Sequence, residues 1–411
     1  MSFKTVRDVD VSGRRVFVRA DLNVPLDDGR ITDDTRIRAS LPTLVDLLER
    51  GAIVILASHL GRPKGKVNDA LRLKPVADRL SQHLGRPVRM TGDALGPGVQ
   101  VAVEKLRPGD LLLLENLRFH AEEEANDPEF AKALASLADV YINDAFGAAH
   151  RAHASTEGIT HHLPAVAGLL MEREVEALSR LLKKPPRPFH AVIGGAKVSG
   201  KLEVLDALLS RCQAILIGGG MANTFLAARG LLLGKSLVEA DQLGDAKRIT
   251  AQARRKRVRL MLPTDAVVAA QIHVRARTKI VPVTEVPKDE MIVDIGPETR
   301  RAFAEHLAKA RTIFWNGPMG VFEVPQFAEG TNEIARVIAR RTARGGAISI
   351  VGGGDSVAAV ENLGLADKMT HVSTGGGASL EFIEGKTLPG VAALLPADAD
   401  IVFPEEESWP A

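Results

Sequence analysis

RVFVRADLN, residues 15–23, joins an apolar run to a charged and carboxamide cluster, and this pattern recurs three times in the first half of the chain. The other copies are IVILASHLGR (53–62), LLLLENLR (111–118) and VYINDAFGAAHR (140–151). Short β-branched or leucine-rich runs, bounded by turn residues and separated by helical-period segments, are typical of buried parallel strands. Ligands of such sheets bind beyond the carboxyl ends of the strands, so the polar clusters mark a predicted binding edge.

Four apolar runs in the second half end in glycines. They are AVIGGAK (191–197), AILIGGG (214–220), AISIVGGG (347–354) and HVSTGGG (371–377). Glycine between a strand and a helix lets backbone N–H groups approach phosphate oxygens, and the helix N-terminus adds a favourable dipole. One glycine triplet alone would be explained equally well by a tight turn. Three triplets favour a phosphate site, so the first half is predicted to hold an anion with side chains and the second with backbone.

Length and prolines divide the chain. At 411 residues it exceeds one ordinary core. Apolar residues near one face predict a helix over 168–182, and the three prolines of KKPPRPF (183–189) cannot continue it. We predict an α/β fold of two doubly wound parallel-sheet, Rossmann-like domains joined by a hinge helix. The predicted bounds are 1–170, 171–388 and a C-terminal tail, 389–411.

Composition and charge exclude several classes of protein. Hydrophobic residues at 45% and charged residues at 25% are typical of a soluble globular chain, and a single cysteine, Cys212, excludes a disulfide framework. A net charge of +2 does not indicate a nucleic acid partner as a global property, and none is expected. The basic run RRKRVR (254–259) is interpreted as a solvated helix end. No signal-peptide core or run of ~18 apolar residues is present, so no membrane association is expected and a cytoplasmic location is predicted.

Basic side chains recur at the four polar clusters of the first half. Arginine binds carboxylates and phosphates bidentately, so converging arginines indicate a site for an anion with two charged ends. A histidine metal site is a weaker alternative because no HExxH motif occurs, and no GxSxG elbow supports a hydrolase triad. The candidate residues are Arg19, Arg36, His59, Arg62, Arg118, His150, Arg151 and His153, with Asp21 and Asn23 to fit a hydroxyl or orient the arginines.

The glycine-rich half matches no standard nucleotide fingerprint completely. GxGxxG is absent from each triplet, which disfavours a dehydrogenase. GAKVSGK (195–201) has Walker A spacing through its lysine, but Leu202 stands where Ser or Thr should contact magnesium. Lys197 and Lys201 lie four residues apart at a predicted helix start, where both can reach phosphate oxygens. Asp355, directly after a glycine triplet, is interpreted as a magnesium ligand, a helix N-cap, or both.

Nine blocks, in this order, carry a resemblance to the phosphoglycerate kinase family over about residues 3–390. They are RADLNVPL, ASHLGRPKG, LLENLRFH, YINDAFGAAHRAH, GGAKVSGK, IGGGMANTF, WNGPMGVFE, VGGGDS and VSTGGGASLE. The resemblance implies a glycolytic phosphotransferase with a carboxyl group as acceptor. Its reaction is reversible transfer between 1,3-bisphosphoglycerate and ADP, giving 3-phosphoglycerate and MgATP. It also implies a monomer, hinge closure between a phosphoglycerate-binding first domain and a nucleotide-binding second domain, and a C-terminus that returns to the first domain.

The resemblance assigns roles to individual residues. Phosphoglycerate would be held by Asp21, Asn23, Arg36, His59, Arg62, Arg118 and Arg151. The nucleotide would be held by Lys201, Gly219, Asn316, Glu323, Gly353, Gly354, Asp355 and Ser356, with Glu323 on the ribose hydroxyls and Asp355 on Mg²⁺. The migrating phosphoryl would be surrounded by Arg36, Lys197 and the N–H groups of Gly375 and Gly376.

Two features depart from the family pattern. Gly200 stands where many relatives have a bulkier polar residue, and the acidic tail is longer than usual. The main alternative is a non-catalytic nucleotide-binding protein of the same fold, which predicts damage at Arg36, Lys197 or Asp355. All three are intact.

Overall fold

The computed structural model describes residues 3–401, which form two compact units. One unit comprises the chain up to Glu176 and the chain from Thr387 onward, and the other is Ala177–Lys386. Each unit contains a six-stranded sheet in which all strands are parallel. The predicted α/β class with two parallel sheets is therefore confirmed.

The sheet of the first unit has the order β5-β6-β4-β1-β7-β8. Its strands, with a short β2–β3 hairpin, are β1 Arg15–Ala20, β2 Leu26–Asp27, β3 Arg30–Ile31, β4 Ile53–Ala57, β5 Arg89–Met90, β6 Leu111–Leu113, β7 Val140–Asp144 and β8 Ala165–Ala167. The helices are α1 Thr35–Glu49, α2 Lys74–Leu84, α3 Pro97–Glu104, α4 Ala121–Glu124, α5 Pro128–Ala135 and α6 Leu169–Leu182.

Apolar side chains on both faces of this sheet explain its burial. All five residues of β4 and all five of β7 are buried, because helices cover both faces of a doubly wound sheet. In register, Val16 of β1 lies beside Val54 on one side and Val140 on the other. Helix α1 packs the buried Ile37 and Leu44 into the same core.

The predicted helix over 168–182 is α6, and it begins where polar side chains satisfy its first N–H groups. Thr43 Oγ1 accepts from Leu169 N (3.0 Å), and Asp144 Oδ1 accepts from Leu170 N (2.9 Å). Unpaired N–H groups at a helix start need such acceptors. Burial raises the pKa of Asp144 to about 6, although the Thr43 hydroxyl and the α6 N–H groups oppose this.

The returning C-terminal segment packs on the first unit. Leu395 N donates to Ala165 O (2.9 Å), and Lys4 N donates to Leu395 O (2.9 Å). Asn143 Nδ2 donates to Gly390 O (3.0 Å). The acidic part of the predicted tail, from 402 onward, lies outside the described residues.

The parallel sheet of the second unit has the order β11-β10-β9-β15-β16-β17, and a three-stranded antiparallel sheet has the order β13-β12-β14. The strands are β9 Phe189–Ile193, β10 Ala214–Ile217, β11 Arg259–Met261, β12 Asp265–Ala269, β13 Thr278–Pro282, β14 Met291–Ile295, β15 Thr312–Asn316, β16 Ile348–Gly352 and β17 His371–Val372. The helices are α7 Leu202–Leu208, α8 Gly219–Ala228, α9 Leu243–Arg255, α10 Pro297–Leu307, α11 Glu329–Ala343, α12 Gly354–Asn362 and α13 Gly377–Glu384; α14, Pro389–Ala392, follows in the first unit.

The antiparallel sheet and the central strand β15 were not among the predicted apolar runs. β15 is fully buried, but it ends in Asn316 and not in a glycine triplet. β13 is exposed at most of its residues, and the apolar runs of β12 and β14 do not end in a glycine triplet. Across residues 3–401, no helix combines the length and apolar character needed to cross a bilayer.

Candidate active site

The basic residues of the first unit converge because their strands are neighbours in the sheet. Arg19 lies on β1, and His59 follows β4 by two residues. Arg118 lies on the short turn of 3₁₀ helix after β6, and Arg151 lies in the segment after β7. Parallel strands place all these carboxyl ends at one edge, so the predicted cation cluster forms.

Arg19 lies beneath the site and is fully buried. Its Nε donates to Ser155 Oγ (2.7 Å), and its Nη2 lies 3.1 Å from His59 Nδ1. Glu123, also fully buried, lies 3.9 Å from Arg19 Nη2 and accepts from Ser155 Oγ (2.6 Å). Arg19 is therefore held in an internal network that positions the ring of His59.

Positive charge exceeds negative charge around His59. Burial and then the charges of Arg19 and Arg118 hold the pKa of His59 well below its ordinary value. Burial and then Arg118 and Arg19 lower the pKa of His153 to about 4. Burial also lowers the pKa of Arg118; Glu124 opposes this, and Arg19 and Arg151 add to it. The histidines are neutral at pH 7, and the arginines repel one another.

Arg36 and Asp21 form the second part of this site. Arg36, in the first turn of α1, donates from Nη1 to both carboxylate oxygens of Asp21 at 3.0 and 2.9 Å. Asn23 Oδ1 accepts from Gly61 N (2.8 Å), which fixes the turn after β4. Arg62 and Arg151 are exposed, with their side chains accessible to a ligand.

Asn116 was missed as a site residue and ties two loops together. It is fully buried, and its Oδ1 accepts from Leu60 N (3.2 Å) and Arg118 N (3.1 Å). Its Nδ2 donates to Leu60 O (2.8 Å) and Leu71 O (2.9 Å). The signal in the sequence is a carboxamide directly after the apolar run and two residues before Arg118.

Lys201 is the central cation of the second unit. Its Nζ donates to Gly194 O (2.8 Å) and Asn316 O (3.2 Å), and also to Asn316 Oδ1. Burial lowers the pKa of Lys201 to about 8, with the negative charge of Asp355 opposing that shift. Asn316 Nδ2 is buried, and no hydrogen-bond acceptor for it is found among the described residues. A buried donor without an acceptor is costly, so this amide favours an anionic ligand nearby.

The glycine turn before α12 lies beside that amide. Gly353 has φ +87°, and a Cβ added there would lie 2.8 Å from Asn316 Nδ2, so only glycine fits without strain. Gly353 is the N-cap of α12, so the N-cap alternative for Asp355 is wrong. Asp355 lies in the first helical turn with its side chain exposed. Ser356 is buried, and its Oγ accepts from Gly317 N (2.5 Å).

Three of the predicted glycines have a specific backbone conformation or a backbone hydrogen bond. Gly219 has φ +67°, and a Cβ there would lie 2.6 Å from Gly195 O, so the residue allows close packing of two turns. Gly376, with φ +52°, is the N-cap of α13. The N–H of Gly375 donates to Ser373 Oγ (3.1 Å), so contact with a phosphoryl group requires it to exchange that bond.

Lys197 and Glu323 are both exposed. The loop that carries Lys197 is fixed by Glu239, a residue that was not among the predicted site residues. Glu239 accepts from Val198 N (2.5 Å), Ser199 N (3.2 Å) and Ser199 Oγ (2.6 Å). No local pattern announces this contact, because Glu239 lies about forty residues further along the chain.

Within residues 3–401, no group of three or more His, Cys, Asp or Glu side chains is arranged to hold a metal ion. A hard cation beside Asp355 would need phosphate oxygens for its remaining ligands. The exposed carboxylate at a glycine-lined helix start suits that arrangement.

Two parallel α/β units, one with converging cations and one with a lysine beneath a glycine-lined strand edge, define a phosphotransferase. The family model described as phosphoglycerate kinase matches residues 6–386. The chain belongs to the phosphoglycerate kinase family. It is an enzyme that transfers a phosphoryl group reversibly between 1,3-bisphosphoglycerate and ADP, in the glycolytic direction giving 3-phosphoglycerate and ATP.

The chain is similar to named relatives over nearly its whole length. It is 58% identical over 394 residues to the phosphoglycerate kinase of Moorella thermoacetica, covering 96% of this chain and 99% of that one. It is 57% identical over 399 residues to that of Gloeothece citriformis, with the same coverage. The solved phosphoglycerate kinase of Coxiella burnetii matches with a TM-score of 0.83 and 42% identity, covering 95% of this chain and 98% of that one. That of Pyrococcus horikoshii matches with a TM-score of 0.85 and 35% identity, at the same coverage. The non-catalytic alternative is not favoured.

Proposed function

We propose that the first unit binds phosphoglycerate through its cation cluster and that the second binds the nucleotide along its glycine-lined edge. The excess positive charge of the first unit carries this proposal. Arg19, Arg118 and Arg151 depress the pKa values of their basic neighbours, and a bound anion would relieve that repulsion. Arg36, Arg62, Arg118 and Arg151 would grip the phosphate and carboxylate, while His59, Asp21 and Asn23 would contact the hydroxyl or orient the arginines.

The nucleotide would lie along the carboxyl ends of the strands in the second unit. Lys201 and the free Nδ2 of Asn316 would donate to its phosphates, and the N-terminus of α12 would add N–H groups at Gly353, Gly354 and Ser356. Gly219 would keep the turn after β10 narrow, and Glu323 would accept from the ribose hydroxyls. Asp355 would hold Mg²⁺, which when bound with the nucleotide supplies positive charge against the phosphate oxygens.

Transfer would need no general base. The acceptor carboxylate of 3-phosphoglycerate is ionised near neutral pH and attacks directly. The phosphoryl in transit spreads negative charge over its equatorial oxygens. Arg36 and Lys197 would stabilise that charge with the N–H groups of Gly375 and Gly376 at the start of α13. Because the two substrate sites are assigned to different units, a hinge closure would bring the reacting atoms in line and exclude water.

The family also suggests an oligomeric state and a cellular location for the enzyme. By family, it would act as a cytoplasmic monomer with MgATP and MgADP as the nucleotide forms. Gly200 is exposed and a Cβ added there would meet no atom within 4 Å, so the bulkier polar residue of many relatives would also fit at this position.

Arg36→Ala is expected to weaken binding of 3-phosphoglycerate roughly 10- to 100-fold, since a charge-assisted hydrogen bond contributes about 1.5–3 kcal/mol. Isothermal titration calorimetry without nucleotide measures this directly. Arg38→Ala is the matched control, because Arg38 lies on the same helix, is exposed and pairs with Asp34. Its affinity should stay within twofold of wild type. Equal losses in both variants would show that net charge alone, and not Arg36, holds the substrate.

Nucleotide affinity is expected to fall as pH rises through about 8, where free Lys201 loses its proton. Phosphate binding favours the charged amine, so above pH 8 binding must take up a proton and Kd rises by up to about tenfold per pH unit. Titrations of ATP between pH 7 and 9 test this. Lys201→Met should bind ATP more weakly at pH 7 and lose most of the dependence of Kd on pH. Lys235→Met, which removes an exposed lysine of the same unit, should keep that dependence. An unchanged slope in Lys201→Met would refute the assignment.

A further inference from the structure

The edge of the second unit's sheet opposite the nucleotide site is basic along its whole width. Parallel strands all begin at this edge, and the helices that connect them end there. Each of the six strands has a cation at its first residue or within the four residues before it. In the order of the sheet these residues are Arg259, Arg211, Arg187, Arg311, Arg344 and Lys368.

The basic run at 254–259 lies at one end of this edge and extends it. Arg254 and Arg255 occupy the last turn of α9, and both are exposed. Lys309, just after α10, adds another positive charge to this edge. Burial, and then the charges of Arg259 and Lys309, lower the pKa of His306. The run by itself is typical of a solvated helix end, and the strand order that aligns it with five other cations is not visible in the sequence. The acidic residues in the last helical turns or loops at the same edge are fewer than the cations: Asp206, which pairs with Arg248, and Glu305, Glu361 and Asp367.

The backbone at Arg257 has a conformation that few residues other than glycine adopt. Arg257 follows the C-cap of α9 with φ +56°, a left-handed conformation that favours glycine or asparagine. That conformation strains any residue with a Cβ, so a glycine at 257 would be tolerated by the backbone. Across residues 3–401, Arg254, Arg255, Arg257 and Arg259 form no ion pair, so no carboxylate neutralises their charge.

The side chains at this edge favour a duplex phosphate backbone over a lipid surface or unpaired bases. The large hydrophobic residues that are exposed lie elsewhere, so the edge offers nothing to insert into a lipid surface. It also lacks aromatic side chains on which unpaired bases would stack. Arginine predominates, and its guanidinium suits phosphodiesters. Six strands at ~4.8 Å spacing span roughly 24 Å, about seven base pairs of a duplex backbone.

We propose that this edge binds duplex nucleic acid through its phosphate backbone, without sequence preference and separately from the catalytic residues. Net charge alone did not indicate such a partner, because acidic residues elsewhere in the chain offset the local excess. The binding is expected to be micromolar at low salt and to weaken steeply as salt rises.

The test is fluorescence anisotropy with a labelled 20-base-pair DNA duplex of mixed sequence. Saturating 3-phosphoglycerate and MgATP occupy the substrate sites throughout. The variant Arg254→Ser/Arg255→Ser/Arg257→Gly should weaken binding at 50 mM salt at least tenfold. It should also reduce the slope of log Kd against log salt by about 2 to 3, one counterion for each lost phosphate contact.

The matched control, Arg275→Ser/Arg277→Ser/Lys288→Ser, removes the same charge from exposed positions elsewhere in the unit. It should keep wild-type affinity and slope, and both variants should keep wild-type turnover. Equal weakening in the control would overturn the proposal, since the binding would then follow net charge. No binding below about 100 μM at 50 mM salt would also overturn it, as would binding to phosphatidylserine vesicles in place of the duplex.

Discussion

Lys197→Ala is expected to lower kcat at least about a hundredfold, a loss typical of removing one group that stabilises transition-state charge. Lys197 is exposed on a loop that Glu239 fixes through three hydrogen bonds, and it forms no ion pair among the described residues. Its charge is therefore available to a phosphoryl group in transit. Because the ground state contributes little to this interaction, KM for each substrate should change far less than kcat.

A coupled assay that follows 1,3-bisphosphoglycerate formation from 3-phosphoglycerate and MgATP gives both parameters. Lys235→Ala, which removes an exposed lysine from the same unit, should retain wild-type kcat. Lys197→Arg should recover part of the loss, since it restores charge with a different reach. A variant whose KM rises while kcat holds would place Lys197 in ground-state binding and not in the transfer step.

Arg19→Met is expected to lower the free energy of unfolding by about 3–5 kcal/mol, because it leaves Glu123 charged and without its cation inside the protein. Both side chains are fully buried, and Ser155 links them by hydrogen bonds. The loss of Arg19 also frees the ring of His59, so 3-phosphoglycerate binding should weaken in whatever fraction stays folded.

Urea unfolding measures the stability change. Arg7→Met is the control, since Arg7 pairs with Glu172 at the surface of the same unit and such pairs contribute about 0–1 kcal/mol. Should Arg19→Met not fold, Arg19→Met/Glu123→Leu removes both charges and should recover much of the stability. A double variant no more stable than the single one would show that the loss comes from packing and not from the unpaired carboxylate.

The ends of the strands were predictable from sequence because apolar runs and their polar or glycine endings are local. The run at 15–23 begins with β1, and the run at 214–220 begins with β10. The run at 191–197 contains the end of β9. The position of these polar and glycine endings at one edge of each sheet was also predictable, because parallel strands align their carboxyl ends. The candidate residues Arg36, His59 and Arg118 therefore appear at one edge of the first unit.

Contacts between distant segments were not predictable in the same way. Glu123 accepts from Ser155, about thirty residues further along the chain, and Glu239 accepts from Val198, about forty residues before it, so no local pattern reveals either contact. Asp355 is not the N-cap because Gly353, with positive φ, holds that position and the helix begins at Gly354. The antiparallel sheet was not predicted because β13 is mostly exposed and the apolar runs of β12 and β14 do not end in a glycine triplet.

The central claim is that each unit holds one substrate. The most direct measurement is calorimetric titration of 3-phosphoglycerate and of MgATP, each alone, into Arg36→Ala and into Lys201→Met. Arg36→Ala should lose affinity for 3-phosphoglycerate and keep that for MgATP, and Lys201→Met should show the reverse. Loss of both ligands in either folded variant, or loss of the wrong one, would contradict the division of the site between the two units.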